Sequence, residues 1–237
     1  MPLDDLFHDS FSGVRLGLDY SEYEAAQALN QTILRRLIAP EWGDANDPHR
    51  QQVLGFGSAG HCLLLEPERF LEEYTRNPDG TLSSQESEVP LSVGTWEGLM
   101  NVQRTFWVHP EVKRLFVSGH PEVSLFWAHP ELQIPCKGRL DWWNPEIGAI
   151  VDLKFANGSG RDFARNLVGR RHLDLQLGWY REGVRQLLGI EAQTWVIVIE
   201  KTKPYQVYAH QLSVRELASG QKKLAKTTAL WQHKPSP

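Results

Sequence analysis

Two runs rich in β-branched and aromatic residues, 138–143 and 149–155, flank the segment Asn144-Pro145-Glu146-Ile147-Gly148, with proline early and glycine late. That pattern predicts a β-hairpin. Side chains alternate faces along a strand, so Asp152 and Lys154 share one face. Asp141 joins that face if the loop holds an even number of residues. A four-residue loop, Pro145 to Gly148, is a common hairpin length. It sets Asp141 opposite Asp152 with Cβ atoms roughly 5 Å apart. Like charges facing each other destabilise a sheet, and a bound cation is the natural neutraliser. The alternative is a surface hairpin with two solvated acids, but the neighbours Leu140, Ile150, Val151 and Leu153 predict buried strands. Two carboxylates and a lysine gathered on a sheet are the equipment that metal-assisted phosphodiester hydrolysis needs.

At 237 residues the chain is long enough for one sizeable core, and its 41% hydrophobic and 23% charged residues are ordinary for a globular protein. No run of about 18 apolar residues predicts a membrane span. Met1-Pro2-Leu3-Asp4-Asp5 lacks the basic-then-apolar pattern of a signal peptide. These features lead us to expect a cytoplasmic protein with no membrane partner. Cys62 and Cys136 are too few for a disulfide framework and form no Cys-x-x-Cys pair. The chain has no Walker loop, no zinc spacing among its histidines, and no nucleophile elbow, since Gly57-Ser58-Ala59-Gly60 lacks the pattern. A net charge of −4 argues against indiscriminate nucleic-acid binding. Positive charge is concentrated locally instead: residues 161–171 hold Arg161, Arg165, Arg170 and Arg171 against the single acid Asp162. Following the Asp152-Leu153-Lys154 strand directly, this stretch should sit at the mouth of the site and contact phosphate, although most charge runs are only solvated surface.

Helical spacing runs over 20–39 (Tyr23, Ala26, Leu29, Ile33, Leu37), ended by Pro40. Residues 43–53 read as a polar loop, and Ser58 as the cap of a short helix through Leu65. Residues 75–92, with Asn77-Pro78-Asp79-Gly80 and Pro90, read as a long loop or flap. A helical stretch over 93–116 is interrupted at His109-Pro110, and Glu122 to Ala128 reads as a strand. After the hairpin come a helix from about His172 to Leu188, strands at Thr194–Glu200 and Gln206–His210, and a last helix over 213–231. This order predicts one α/β domain over 1–237: a mostly helical part (about 1–116), a sheet core (about 117–212) and a C-terminal helix.

The pattern Asp141…Asp152-Leu153-Lys154 resembles the signature of the PD-(D/E)XK nuclease superfamily. From about Gly57 to Leu212 the chain resembles a narrower group, the exonuclease domain of exodeoxyribonuclease VIII (RecE type) with the phage lambda exonuclease. That likeness includes Gly57-Ser58-Ala59-Gly60-His61, His109-Pro110-Glu111, Gly119 with Pro121-Glu122-Val123-Ser124, Gln176 with Tyr180, and Glu200-Lys201 with Pro204-Tyr205. Phe155 and Leu173 depart from it, standing where relatives carry threonine and tyrosine; neither position is a ligand position. The iron–sulfur cluster of some related nucleases needs four cysteines, which this chain lacks.

The resemblance implies a restriction-endonuclease-like core with a mixed central sheet flanked by helices. It implies Mg²⁺, with Mn²⁺ as a substitute, held by His61, Glu122, Asp141, Asp152 and the Leu153 carbonyl. It makes Asp141, Asp152, Lys154, Glu122, Gln176 and Tyr180 the catalytic set, with Gln176 and Tyr180 lining the DNA channel, and adds Arg139 to the DNA contacts. The implied activity is degradation of the 5′-ended strand of linear double-stranded DNA to mononucleotides. The implied setting is phage-type recombination, with a homo-oligomeric ring and a single-strand annealing protein as partners. An endonuclease or single-strand exonuclease on the same fold, or a non-catalytic DNA-end scaffold, are the alternative readings.

Overall fold

The computed structural model describes residues 12–40, 48–85 and 87–232. In chain order these form β1 (Gly13–Arg15), α1 (Tyr20–Ala25), α2 (Gln31–Ile38), α3 (Pro48–Leu65), α4 (Pro67–Glu73), β2 (Tyr74–Arg76), β3 (Leu82–Ser84) and β4 (Ser87–Leu91). There follow α5 (Thr95–Val108), α6 (Pro110–Phe116), β5 (His120–Ala128), β6 (Pro135–Asn144), β7 (Ala149–Ala156), α7 (Arg161–Arg170), α8 (Leu173–Leu188), β8 (Gln193–Glu200), β9 (Val207–Gln211) and α9 (Val214–Gln232).

The hairpin β6–β7 is the centre of a six-stranded sheet ordered β1-β5-β6-β7-β8-β9. Only β7 and β8 run parallel; the other neighbours are antiparallel, so the sheet is mixed. The turn is built by Asn144, whose Oδ1 accepts from the N–H groups of Glu146 (3.0 Å) and Ile147 (3.3 Å), while Gly148 takes the left-handed conformation at φ 59°. The pairs Asn144↔Ala149, Trp143↔Ile150 and Trp142↔Val151 leave four residues in the loop.

Alternation along the central strands feeds two cores. Val123, Leu125, Trp127, Leu140, Ile150, Val196 and Val198 pack with α2, α7, α8 and α9. Val151, Leu153, Phe155, Ile197 and Ile199 pack with residues of α3, α5 and α6. Burying both faces explains why β7 and β8 read as nearly continuous apolar runs. Among the described residues no helix is long and apolar enough to cross a membrane.

Several local expectations give way to tertiary contacts. The helix expected over 20–39 is two helices, because Leu29 leaves the helical path and bridges β6: its N–H donates to Pro135 O (2.8 Å) and its carbonyl accepts from Lys137 N (2.8 Å). Asn30 restarts the helix, its Oδ1 accepting from Ile33 N at 3.0 Å. Of the expected polar loop 43–53, residues 43–47 lie outside the described residues, and 48–53 are the start of α3. Ser58 is therefore inside a long helix that Pro48 opens, not at its cap. Gly60 inside this helix serves close packing: a Cβ there would lie 2.3 Å from the ring of Phe155. Residues 75–92, expected as a flap, contain the three-stranded antiparallel sheet β2-β3-β4. The basic stretch is a helix, α7.

Helix α9 crosses α8 at Gly220, where a Cβ would sit 2.1 Å from the backbone oxygen of Asp174. Gly220→Ala should therefore force the two helices apart and cost about 1–3 kcal/mol. Gly169→Ala, in α7 with open space around its would-be Cβ, should stabilise by about 0.5–1 kcal/mol. Urea denaturation midpoints of the two variants check both signs.

Candidate active site

The sheet brings three carboxylates to one level. In the β5–β6 register, Pro121↔Trp142 and Val123↔Leu140 pair, which leaves Glu122 and Asp141 opposite each other but outside the ladder. In the β6–β7 register the ladder stops at Trp142↔Val151, one step before Asp141 would meet Asp152. Three acids in one row across adjacent strands repel, and the backbone yields where they meet. Glu122 sits at φ 50°, a left-handed conformation that costs a residue of its type about 1 kcal/mol or more. Strands β6 and β7 part, and the Leu153 N–H donates to Asp141 Oδ2 at 2.7 Å.

Each acid has its own cationic or hydrogen-bonding neighbours. Asp152 is 1% exposed; Lys154 Nζ lies 2.6 Å from its Oδ2, and Gln176 Nε2 donates to its Oδ1 at 2.5 Å. Arg139 Nε donates to Glu122 Oε2 at 2.7 Å. His61, presented by α3, places Nε2 3.6 Å from Asp141 Oδ2 and 3.0 Å from the Leu153 carbonyl. Donor atoms of His61, Glu122 and Asp141 all fall within 4.8 Å of one another, a spacing at which one ion touches all three.

The electrostatics of this cluster follow from burial and from the charges its members place on one another. Burial, then the Asp152 carboxylate, push Asp141 up to about 7. Burial and Asp141 also raise Glu122, against the pull of Arg139. Burial and the Lys154 ammonium lower His61, which keeps its imidazole neutral, the form that ligates metal. Two carboxylates held above their ordinary range beside a neutral imidazole and a backbone carbonyl fit a divalent ion. A cleft of about 460 Å³ opens on this set, lined by His61, Glu122, Leu153 and Lys154, and also by Tyr20, Glu66, Arg69, Glu73, Arg171 and Lys201.

Not every residue expected at the site reaches the cleft. Gln176 and Tyr180 are 6% and 5% exposed and lie behind Asp152 rather than lining a channel, because α8 packs its apolar face onto the sheet there. Gln176 bridges Asp152 and Tyr180 OH (3.4 Å). Arg139, expected to contact DNA, does line the cleft but is engaged by the protein itself: besides Glu122 it donates to Leu18 O (2.9 Å) and Ser124 Oγ (3.1 Å) and lies over the Tyr23 ring. Arg161, Arg165 and Arg170 are exposed on α7 outside the cleft, and Arg171 alone of that cluster lines it.

Lys201 and the Glu66–Arg69–Glu73 wall carry no role in the sequence reading. Lys201 has a signal in retrospect: it follows a strand that runs parallel to β7, with Ala156↔Glu200 as the last pair. Arg35 of α2, within electrostatic reach of Tyr180 and Asp152, has none.

The family described as PDDEXK-like domain of unknown function (DUF3799) matches residues 29–235. No sequence among curated proteins matches the chain. A crystal structure of a candidate exonuclease from Eubacterium rectale is similar at TM-score 0.63 and 15% identity, over 94% of this chain and 90% of that one. At that identity the likeness is one of fold. A phage-related exonuclease from Haemophilus somnus 129PT aligns at TM-score 0.40 and 10% identity, over 87% of this chain and 94% of that one, too distant to carry an argument.

A carboxyl raised from about 3.9 when unfolded to about 7 when folded makes the metal-free protein lose stability as pH rises through that window. Asp141→Asn keeps an acceptor for the Leu153 N–H and removes the charge. In chelator it should be stabilising by on the order of 2–4 kcal/mol at pH 8 and nearly neutral at pH 4. Urea melts of wild type and variant at both pH values check this; a variant less stable than wild type at pH 8 contradicts it.

Proposed function

The chain belongs to the family of PDDEXK-like domains, and from that premise we propose that it is a metal-dependent exonuclease acting on linear double-stranded DNA. The observation that carries the reading is the acid row of Glu122, Asp141 and Asp152 at the parting of β6 and β7, with Lys154 ion-paired to Asp152 in an open cleft. His61, Glu122, Asp141, Asp152 and the Leu153 carbonyl would hold the ion. When bound, a divalent ion supplies Lewis-acid polarisation of a phosphoryl oxygen and makes nearby water more acidic. Magnesium prefers all-oxygen shells, whereas manganese accepts an imidazole more readily, so both ions support the reaction in this reading.

The remaining groups act on the substrate or on those ligands. Lys154 holds a positive charge where negative charge grows on the attacked phosphorus, and orients the attacking water. Its Nζ is 2.6 Å from Asp152 Oδ2 and 3.2 Å from the Leu153 carbonyl, so it is fixed before substrate arrives. Gln176 is a positioning residue that sets the Asp152 carboxylate, and Tyr180 supports Gln176. Arg139 does the same for Glu122. The exposed arginines of α7 contact the DNA backbone.

The helical part, sheet core and C-terminal helix work as one nuclease unit, with α3 supplying His61, β5–β7 the acids, and α8 Gln176. The motifs shared with the exodeoxyribonuclease VIII type support the finer reading: removal of the 5′-ended strand as mononucleotides, a ring of identical chains, and an annealing protein that takes the remaining strand.

Linear duplex labelled at either the 5′ or the 3′ end, incubated with Mg²⁺ or Mn²⁺, should release labelled mononucleotide first from the 5′ end, and closed-circular duplex should persist. Equal cutting of closed circles would establish an endonuclease instead. Lys154→Ala should reduce turnover about 10²-fold or more while leaving metal and DNA affinity near wild type, because its charge matters most in the transition state. Calorimetry showing metal affinity lost together with activity would contradict that role.

Arg161→Ala and Arg165→Ala should each flatten the slope of log affinity against log salt by about 0.7–0.9, as one lost phosphate contact does. Unchanged slopes in both would place the DNA path elsewhere.

A further inference from the structure

Two cations of the cleft have no ion-pair partner among the described residues. The lining acids have their own partners: Arg69 pairs with Glu66 (3.0 Å) and Glu73 (2.5 Å), and Arg139 with Glu122 (2.7 Å). The adjacent Asp152 has Lys154 (2.6 Å). Arg171, just past α7, and Lys201, just past β8, line the same cleft, and among the described residues neither side chain has an ion pair or a hydrogen bond. Both are half-buried. The Lys201 N–H donates to Ala156 O at 3.0 Å, which anchors it two residues beyond Lys154 on the neighbouring strand. Burial and the Arg171 charge lower the Lys201 pKa, and burial and Arg170 lower that of Arg171 against the pull of Asp152, which is itself ion-paired to Lys154. Two half-buried like charges facing one cavity are unfavourable until an anion joins them. A guanidinium fork and an ammonium point charge together suit a phosphate.

We infer that Arg171 and Lys201 seat a phosphate of the substrate strand next to the one being cleaved, an assignment that rests on reading the cleft as a nuclease site. The cleft of about 460 Å³ has the size of a small-ligand site. Tyr20, 59% exposed on the same lining, offers a ring face to the attached base. The seat lies within the cleft and is separate from the backbone contacts of α7, so it binds a nucleoside monophosphate without metal.

The test is titration of thymidine 5′-monophosphate into the full chain in chelator, followed by calorimetry or NMR, with thymidine as the phosphate-free comparison. The monophosphate should bind and thymidine should not. Arg171→Gln and Lys201→Gln should each weaken binding about tenfold or more, the worth of a charge-assisted contact. Lys113→Gln, exposed on α6, should leave binding unchanged. In DNA cleavage the two cleft variants should raise KM by a similar factor with a smaller change in kcat. Thermal melts identify folded variants, and Arg171→Lys, which keeps the charge, should recover part of the affinity. Wild-type affinity in both folded Gln variants, or equal binding of thymidine and its monophosphate, overturns the seat. A wild-type chain that binds the monophosphate through this pair yet cleaves no DNA with Mg²⁺ or Mn²⁺ would overturn the nuclease reading and support the seat.

Discussion

Repulsion among Glu122, Asp141 and Asp152, set side by side across β5, β6 and β7, is the constraint around which the rest of this protein is arranged. A sheet normally excludes such a row. Here the sheet gives way locally: Glu122 turns to a left-handed conformation, and the β6–β7 ladder ends so that Asp141 takes the Leu153 N–H. What a regular ladder would have filled becomes a carbonyl and two carboxyl groups within reach of His61. Backbone strain and like charge are thus concentrated at one place on the sheet.

Packing holds this unfavourable arrangement in place. Helix α3 lies close enough to the sheet to deliver His61 because Gly60 leaves room for the Phe155 ring. That contact also gives the aromatic residue after Lys154 a packing role. On the opposite face α8 supplies Gln176 to Asp152, and Gly220 lets α9 press against α8. The first core therefore orients the Asp152 carboxylate from behind and the second brings the His61 imidazole from in front.

Positive charge divides into three uses that the sequence does not distinguish. Arg139 and Arg69 neutralise acids of the cleft wall. Lys154 is paired with an acid and still faces the cleft, which suits a group acting on a reacting phosphate. Among the described residues Arg171 and Lys201 face the cleft with no acid paired to them, a surplus that suits an anionic ligand. In a chain of net charge −4, this local surplus replaces the overall basicity of an indiscriminate nucleic-acid binder.

Most of what is local and periodic was legible in the amino-acid sequence. The hairpin and its four-residue loop follow from strand alternation and from Asn144-Pro145 and Gly148, whereas the direct pairing of Asp141 with Asp152 does not form, because the ladder ends at Trp142↔Val151. The break at His109-Pro110 and the C-terminal end of α8 at Gly189 follow from proline and glycine chemistry. What failed depended on distant partners. Leu29 leaves a helical pattern because β6 offers it two backbone hydrogen bonds. Residues 74–91 pair into a small sheet whose turn at Asn77-Pro78-Asp79-Gly80 is visible in the sequence but whose two three-residue strands are too short to show a period. Arg139, Arg170 and Arg171 look alike in sequence, yet an acid, open solvent and the cleft separate their uses. The sequence by itself determined the acids, the lysine and the strand that carries two of them, because period and turn chemistry act over a few residues. Only the tertiary structure decided which cations remain free for a substrate, because neutralisation depends on distances between strands and helices far apart in the chain.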